Sequence, residues 1–63
     1  MAYTIEEKTP DEGQVVIVYC PGYCDEDYQV VTFHDGQFDR VPNGDMTKYV
    51  DKWIPASILD DLF

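Results

Sequence analysis

One continuous apolar run constrains the fold of this chain more than any other segment. It reads Gln14-Val15-Val16-Ile17-Val18-Tyr19-Cys20 and includes four consecutive β-branched residues. Such residues favour extended backbone because their χ1 freedom is restricted in a helix. Turn-forming residues bound the run on both sides, with Pro10-Asp11-Glu12-Gly13 before it and Pro21-Gly22 after it. Since both alternating faces of the run are apolar, we expect a central strand covered on both sides, or a strand of a closed barrel.

Two more strands are predicted to follow as a hairpin. The segment 28–34 is rich in β-branched and aromatic residues, and Asp35-Gly36 comes directly after it. This dipeptide is the signature of a two-residue type I′ turn, so residues 37–41 are expected to form the returning strand. Pro42-Asn43-Gly44-Asp45 predicts another turn. Near the N-terminus, Thr4-Ile5-Glu6-Glu7 has the capping-box pattern and predicts one helical turn.

The C-terminal third is less decisive. Residues 46–54 fit helical and strand spacing about equally well, and we favour a strand because three strands need a fourth partner to cover the first one. Pro55 is expected to end either element. Ser57 is the predicted N-cap of a short helix over 57–63, with its apolar residues on one side. The residues expected in the core are Val16, Ile17, Val18, Val31, Phe33 and Trp53.

These elements predict a mainly β fold, α+β at most. We expect a small antiparallel sheet or an SH3-like barrel of about four strands with a short C-terminal helical turn, forming a single small domain over residues 1–63. A chain of this length lies near the lower limit for independent folding, because only about 60% of its surface is buried. A deep catalytic cavity is therefore not expected.

The charge of the chain excludes several functions. Four Lys and Arg residues oppose 13 Asp and Glu residues, which gives a formal charge of −9. Direct binding to nucleic acid or to an anionic membrane needs clustered basic residues, so neither is expected. The longest apolar run has six residues, at 15–20, and the N-terminus resembles no signal peptide. We therefore expect a cytoplasmic protein.

Catalytic and metal-binding patterns are weak. Cys20 and Cys24 form a single C-x3-C, which is not the spacing of zinc or redox motifs, and His34 is the only imidazole. We expect reduced structural thiols, with a disulfide across the Pro21-Gly22 turn left open. An acid–base pair of His34 and Asp35 is less plausible than a strand end followed by its turn. No enzymatic activity, cofactor or metal is expected.

The order of these signals resembles a known family. The pattern comprises Tyr3-x-Ile5, Pro10-x-x-Gly13-x-x-Val16-x-Val18-Tyr19, Val31-x-Phe33, Asp35-Gly36-x-Phe38 and Val50-x-x-Trp53-Ile54-Pro55. It is similar to DUF551, a short domain of unknown function found in phage and prophage proteins, over roughly residues 3–55. Tyr3 stands where that family has a Trp, and residues 20–27 form an insertion-like loop. The resemblance implies a small β fold and a phage origin, and it implies no reaction.

The acidic surface suggests the function. A charge of −9 destabilises a small domain by self-repulsion, and a cationic partner surface would offset that cost. We expect a small phage-type protein that inhibits a host nucleic-acid-binding or defence protein by mimicking DNA, in the manner of an anti-CRISPR protein. The alternative is a non-enzymatic phage accessory or assembly interaction module of unknown target. In either case we expect a monomer or a homodimer. The predicted partner-binding residues are Glu6, Glu7, Asp11, Glu12, Asp25, Glu26, Asp27, Asp35 and Asp39.

Overall fold

The computed structural model describes residues 2–22, 26–40, 44–45 and 47–63. Its strands are β1 (Val15–Tyr19), β2 (Tyr28–His34), β3 (Gln37–Arg40), β4 (Gly44–Asp45) and β5 (Lys52–Pro55). Two 3₁₀ helices cover Thr47–Tyr49 and Ala56–Asp61. The predicted mainly β class is confirmed.

The strands form one open antiparallel sheet in the order β4-β3-β2-β1-β5. Since β4 has only two residues, the sheet consists of four main strands and a short fifth one at its edge. Of the two predicted alternatives, the structure has the open sheet. No helix in the described part of the chain is long and apolar enough to cross a bilayer.

Strand β1 is central, as predicted, but it is buried on one face only. It pairs with β2 on one side and with β5 on the other. Val16 and Val18 are fully buried, whereas Ile17 and Tyr19 on the opposite face are half-buried and Val15 is exposed. The expectation of a strand covered on both sides was therefore wrong, because no second layer of the described chain covers that other face.

The core lies on the face of Val16 and Val18. Trp53, Val31 and Phe33 are buried there as predicted, while Ile17 is not part of the core. Two members of the hydrophobic core cluster were not predicted: Cys20, directly after β1, and Phe38, whose ring packs edge-on against Phe33 at 5.1 Å between centroids. The complete buried cluster is Val16, Val18, Cys20, Val31, Phe33, Phe38 and Trp53.

Trp53 joins the N-terminal segment to this core. Its backbone pairs with Val18 of β1, and on its other side it exchanges two 2.9 Å hydrogen bonds with the backbone of Tyr3. The indole Nε1–H donates to the carbonyl of Lys8 at 2.9 Å, and the rings of Tyr3 and Trp53 lie 5.3 Å apart. The backbone and the side chain of Trp53 therefore together fix β5, β1 and residues 3–8.

Both predicted local motifs at the turns are confirmed. Asp35 and Gly36 have φ values of 53° and 78°, the positive angles that a type I′ turn requires at both central positions. In the capping box, the Thr4 N–H donates to Glu7 Oε1 at 2.9 Å and the Glu7 N–H donates to Thr4 Oγ1 at 3.2 Å. Gly13 also has a positive φ, at the turn closed by the Gln14 N–H and the Asp11 carbonyl.

The C-terminal third differs from the prediction. The strand expected over 46–54 is confined to Lys52–Pro55, and a 3₁₀ helix precedes it. Ser57 is not an N-cap: the second 3₁₀ helix begins at Ala56, with Pro55 at the N-cap position and no side-chain cap hydrogen bond. Leu62 and Phe63 are exposed, so the apolar residues of the tail do not form a packed face. Of the predicted turn 42–45, residues 42 and 43 lie outside the described residues and Gly44–Asp45 forms β4.

We predict that Trp53→Ala lowers the free energy of unfolding by about 3–5 kcal/mol, because it leaves a large cavity in the core. Trp53→Phe should cost less, since it keeps an aromatic ring and loses the Nε1 donor to Lys8. Urea unfolding followed by circular dichroism measures both. An unfolding midpoint of Trp53→Ala close to that of the wild type would contradict the central position of Trp53.

Candidate binding surface

The side of the sheet opposite the core carries a patch of large apolar side chains. Residues paired in antiparallel register project from the same side of a sheet. Val30, Ile17 and Ile54 therefore form one row across β2, β1 and β5, and Tyr28 and Tyr19 belong to the next row. We call this patch the open face; its members are Val15, Ile17, Tyr19, Tyr28, Val30 and Ile54.

The apolar side chains of the open face are largely exposed to solvent. Tyr28 is 64% exposed, Val30 60% and Val15 46%, while Ile17, Tyr19 and Ile54 are half-buried. Single exposed apolar residues are ordinary, but contiguous exposed apolar patches in soluble proteins often mark interaction sites. The sheet holds these side chains in place because β1 is paired along its whole length with residues 28–32 of β2.

The β5 edge of the sheet is obstructed, and so is the part of β3 that lies beyond its pairing with the short strand β4. At β5, the Trp53 backbone is already paired with Tyr3, and Pro55 has no N–H to donate. At β3, the Phe38 N–H donates to the Thr47 hydroxyl at 2.9 Å. Edge strands protected in this way do not readily accept an added strand. At these positions a partner would therefore contact side chains of the sheet rather than extend its hydrogen bonding.

Two tyrosines and a shallow depression give the open face its shape. The rings of Tyr19 and Tyr28, a cross-strand pair, lie 5.2 Å apart with a 38° tilt. Beside them is a depression of about 250 Å³, lined by Ala2, Ile17, Val18, Tyr19, Tyr28, Lys52, Trp53 and Ile54. Small-molecule sites usually measure about 300–1,000 Å³. The depression is thus better suited to one side chain of a partner than to a cofactor.

The predicted acidic residues do not form one continuous track. Glu26 and Asp27 come immediately before β2, and Asp35 comes immediately after it. Eight residue steps separate Asp27 from Asp35, which corresponds to roughly 26 Å of extended strand. Asp39 is paired with Thr32 and so projects on the same side of the sheet as the open face. Acids therefore lie around the apolar patch rather than across it.

Glu12 and Asp35 are brought together, in a structural role. The Asp35 N–H donates to Glu12 Oε1 at 3.0 Å, and His34 Nδ1 contacts Glu12 Oε2. The backbone donor of Asp35, together with His34, lowers the pKa of Glu12 below its ordinary value of 4.5. This carboxylate therefore fastens the 11–14 turn to the β2–β3 hairpin.

Two more of the predicted acids are also part of the local fold. Glu7 accepts hydrogen bonds from Thr4 in the capping box, and these hydrogen bonds lower its pKa, with a smaller contribution from the charge of Lys52. The Asp11 backbone N–H donates to Gln14 Oε1 at 2.9 Å, which makes Asp11 part of the turn before β1. Glu6 is exposed in the same N-terminal turn as Glu7. Asp25 lies outside the described residues, so its predicted role is not placed.

The candidate catalytic residues His34, Asp35 and Cys20 do not line the depression on the open face. His34 is exposed and contacts Glu12. Cys20 is buried, with its Sγ 3.4 Å from the Asp27 carbonyl oxygen, and Cys24 lies outside the described residues. Within residues 2–22, 26–40, 44–45 and 47–63, no group of three or more His, Cys, Asp and Glu side chains is arranged to hold a metal ion.

Comparison of the chain with protein-family models, with curated proteins and with solved structures found no match. The resemblance to DUF551 therefore stays a prediction. Sequence reasoning selected the acids and missed the open face. Its signal was present in the apolar residues Val15, Ile17 and Tyr19, which alternate with the core residues of β1 but were assigned to a covered surface.

We predict that Glu12→Gln destabilises the protein near neutral pH, and that this difference from the wild type shrinks in acid. A carboxylate whose pKa is lowered on folding stabilises the folded state above its unfolded pKa, and this contribution disappears as the pH falls through the lowered folded value. Urea unfolding at a series of acidic to neutral pH values measures the difference. Glu6→Gln removes the same charge nearby and is the control. Parallel pH profiles for the wild type and Glu12→Gln would contradict the role of Glu12.

Proposed function

We propose that this protein is a non-enzymatic protein-binding module whose binding surface is the open face. The observation that carries the proposal is the exposed apolar patch on a rigid sheet, at Val15, Tyr28 and Val30 above all. Its surroundings are acidic, with Glu26 and Asp27 at one end of β2 and with the hairpin end of β2 opposite. An apolar, aromatic centre within a polar rim is the usual anatomy of a protein–protein interface.

The charge of the chain indicates the partner. At −9, two copies of this protein repel each other, whereas a basic protein surface is attracted over a Debye length of about 8–10 Å at physiological salt. The rim charges would accelerate association, and the apolar centre would supply most of the lifetime of the complex. A basic partner with an apolar contact patch fits both features better than a second copy.

A narrower version of the proposal names the target class. The same excess of 13 acidic over four basic residues supports inhibition of a nucleic-acid-binding or defence protein of a phage host, in the host cytoplasm. In that case the bound protein would compete with nucleic acid for one basic surface. A ternary complex with undiminished nucleic-acid affinity would exclude this version and leave the accessory or assembly module.

The proposal predicts that a double variant, Val15→Thr with Val30→Thr, loses partner binding. Both positions are exposed, and threonine keeps the β-branched shape while it replaces a methyl group with a hydroxyl group, so the fold should be retained. Immobilised wild-type protein is used to capture partners from a host lysate, and the affinity of a purified partner is then measured for each variant. We expect affinity to fall about tenfold, equivalent to about 1.4 kcal/mol.

The matched control is Leu62→Thr with Phe63→Thr, which removes exposed apolar groups outside the open face. This control should bind the partner as the wild type does, and raised salt should weaken binding of both. If the control loses affinity and the Val15, Val30 variant does not, the binding surface is the C-terminal tail and the proposal is wrong. Sedimentation of the wild type alone tests the alternative that a second copy covers the open face.

A further inference from the structure

The depression on the open face has a composition suited to one particular kind of side chain. Its walls at Ile17 and Ile54 are aliphatic, and the Tyr19–Tyr28 ring pair forms one end. At about 250 Å³ it accommodates a long side chain of a partner. Interface hot spots are typically such pockets, filled by Trp, Tyr or Arg anchors.

Electrostatics distinguishes among these anchors. Glu26 and Asp27 are exposed and directly precede Tyr28, so negative charge adjoins the tyrosine end of the depression. The chain as a whole carries −9. A cationic group that lies over an aromatic ring is attracted by the ring's quadrupole, and nearby carboxylates add to that attraction.

Lys52 also lines the depression, at the end away from Tyr28. The register places Lys52 on β5, Tyr19 on β1 and Tyr28 on β2 in one row, so the Lys52 and Tyr28 backbones are about two strand spacings, or roughly 10 Å, apart. The charge of Lys52 also contributes to the lowered pKa of Glu7, after the hydrogen bonds from Thr4. A cationic head at Tyr28 therefore lies away from Lys52 and towards Glu26 and Asp27.

We propose that the Tyr19–Tyr28 pair and the adjoining depression form an anchor site for an arginine side chain of a basic partner protein. This inference rests on the proposed function and specifies its contact. The alkyl stem packs against Ile17 and Ile54, and the planar guanidinium stacks on Tyr28 beside the acids. Arginine fits better than lysine because its guanidinium is planar, less strongly hydrated and able to stack on an aromatic face.

The test is an NMR titration of the intact 15N-labelled protein with N-acetyl-arginine amide, and separately with N-acetyl-lysine amide. We expect saturable shifts of the Ile17, Tyr28 and Ile54 amide signals, with the arginine compound binding at least about threefold tighter. Tyr28→Phe should retain the effect because it keeps the ring, and Tyr28→Thr should abolish it. Leu62→Thr lies outside the open face and outside the depression, and it should bind the arginine compound as the wild type does.

Equal shifts with both compounds, spread over the acidic residues, would show charge attraction without an anchor and would overturn the inference. So would the absence of saturable shifts, or unchanged binding by Tyr28→Thr. The proposed function is judged separately, by partner affinity of the Val15, Val30 double variant. If the double variant loses partner affinity but the arginine titration fails, the open face remains the binding surface and arginine is rejected as its anchor.

Discussion

The pairing of β1 with two neighbouring strands is the interaction on which the rest of the structure depends. β2 and β5 hydrogen-bond to its opposite edges, which places Val16 and Val18 over a common core with Trp53. A chain of 63 residues buries only about 60% of its surface, and here the N-terminal segment and the turn before β5 pack on one side of the sheet. The other side stays accessible among the described residues.

Charge and apolar surface are segregated by this arrangement. The turns and loops carry most of the acids, because strands alternate between core and open face and offer few positions for them. Glu7 and Glu12 use their carboxylates to hold turns together. Glu26, Asp27 and Asp35 lie at the two ends of β2, and Asp39 projects on the same side as the open face, so solvated acids adjoin an apolar centre.

Parts of the fold that depend on backbone angles were predictable from the sequence. Asp35-Gly36 tolerates the positive φ of a type I′ turn, and this fixed the register of β2 against β3. The centrality of β1 followed from its β-branched run. The sequence did not show which face of β1 is covered, because the apolarity of Ile17 and Tyr19 does not reveal what packs against them. The burial of Phe38 was not predicted, although it follows from the pairing of Phe38 with the core residue Phe33 in the register that the type I′ turn sets.

The candidate site was predictable in its charge and not in its location. The composition predicted an acidic protein with a cationic partner. It did not show that the acids lie towards the two ends of β2, because their placement depends on how this strand is set in the sheet. The central claim, that one face of the sheet is accessible, is tested most directly by paramagnetic broadening of the valine methyl NMR signals with a soluble nitroxide. We predict strong broadening at Val15 and Val30 and little at Val16, Val18 and Val31. Equal protection of all five valines would contradict an open face.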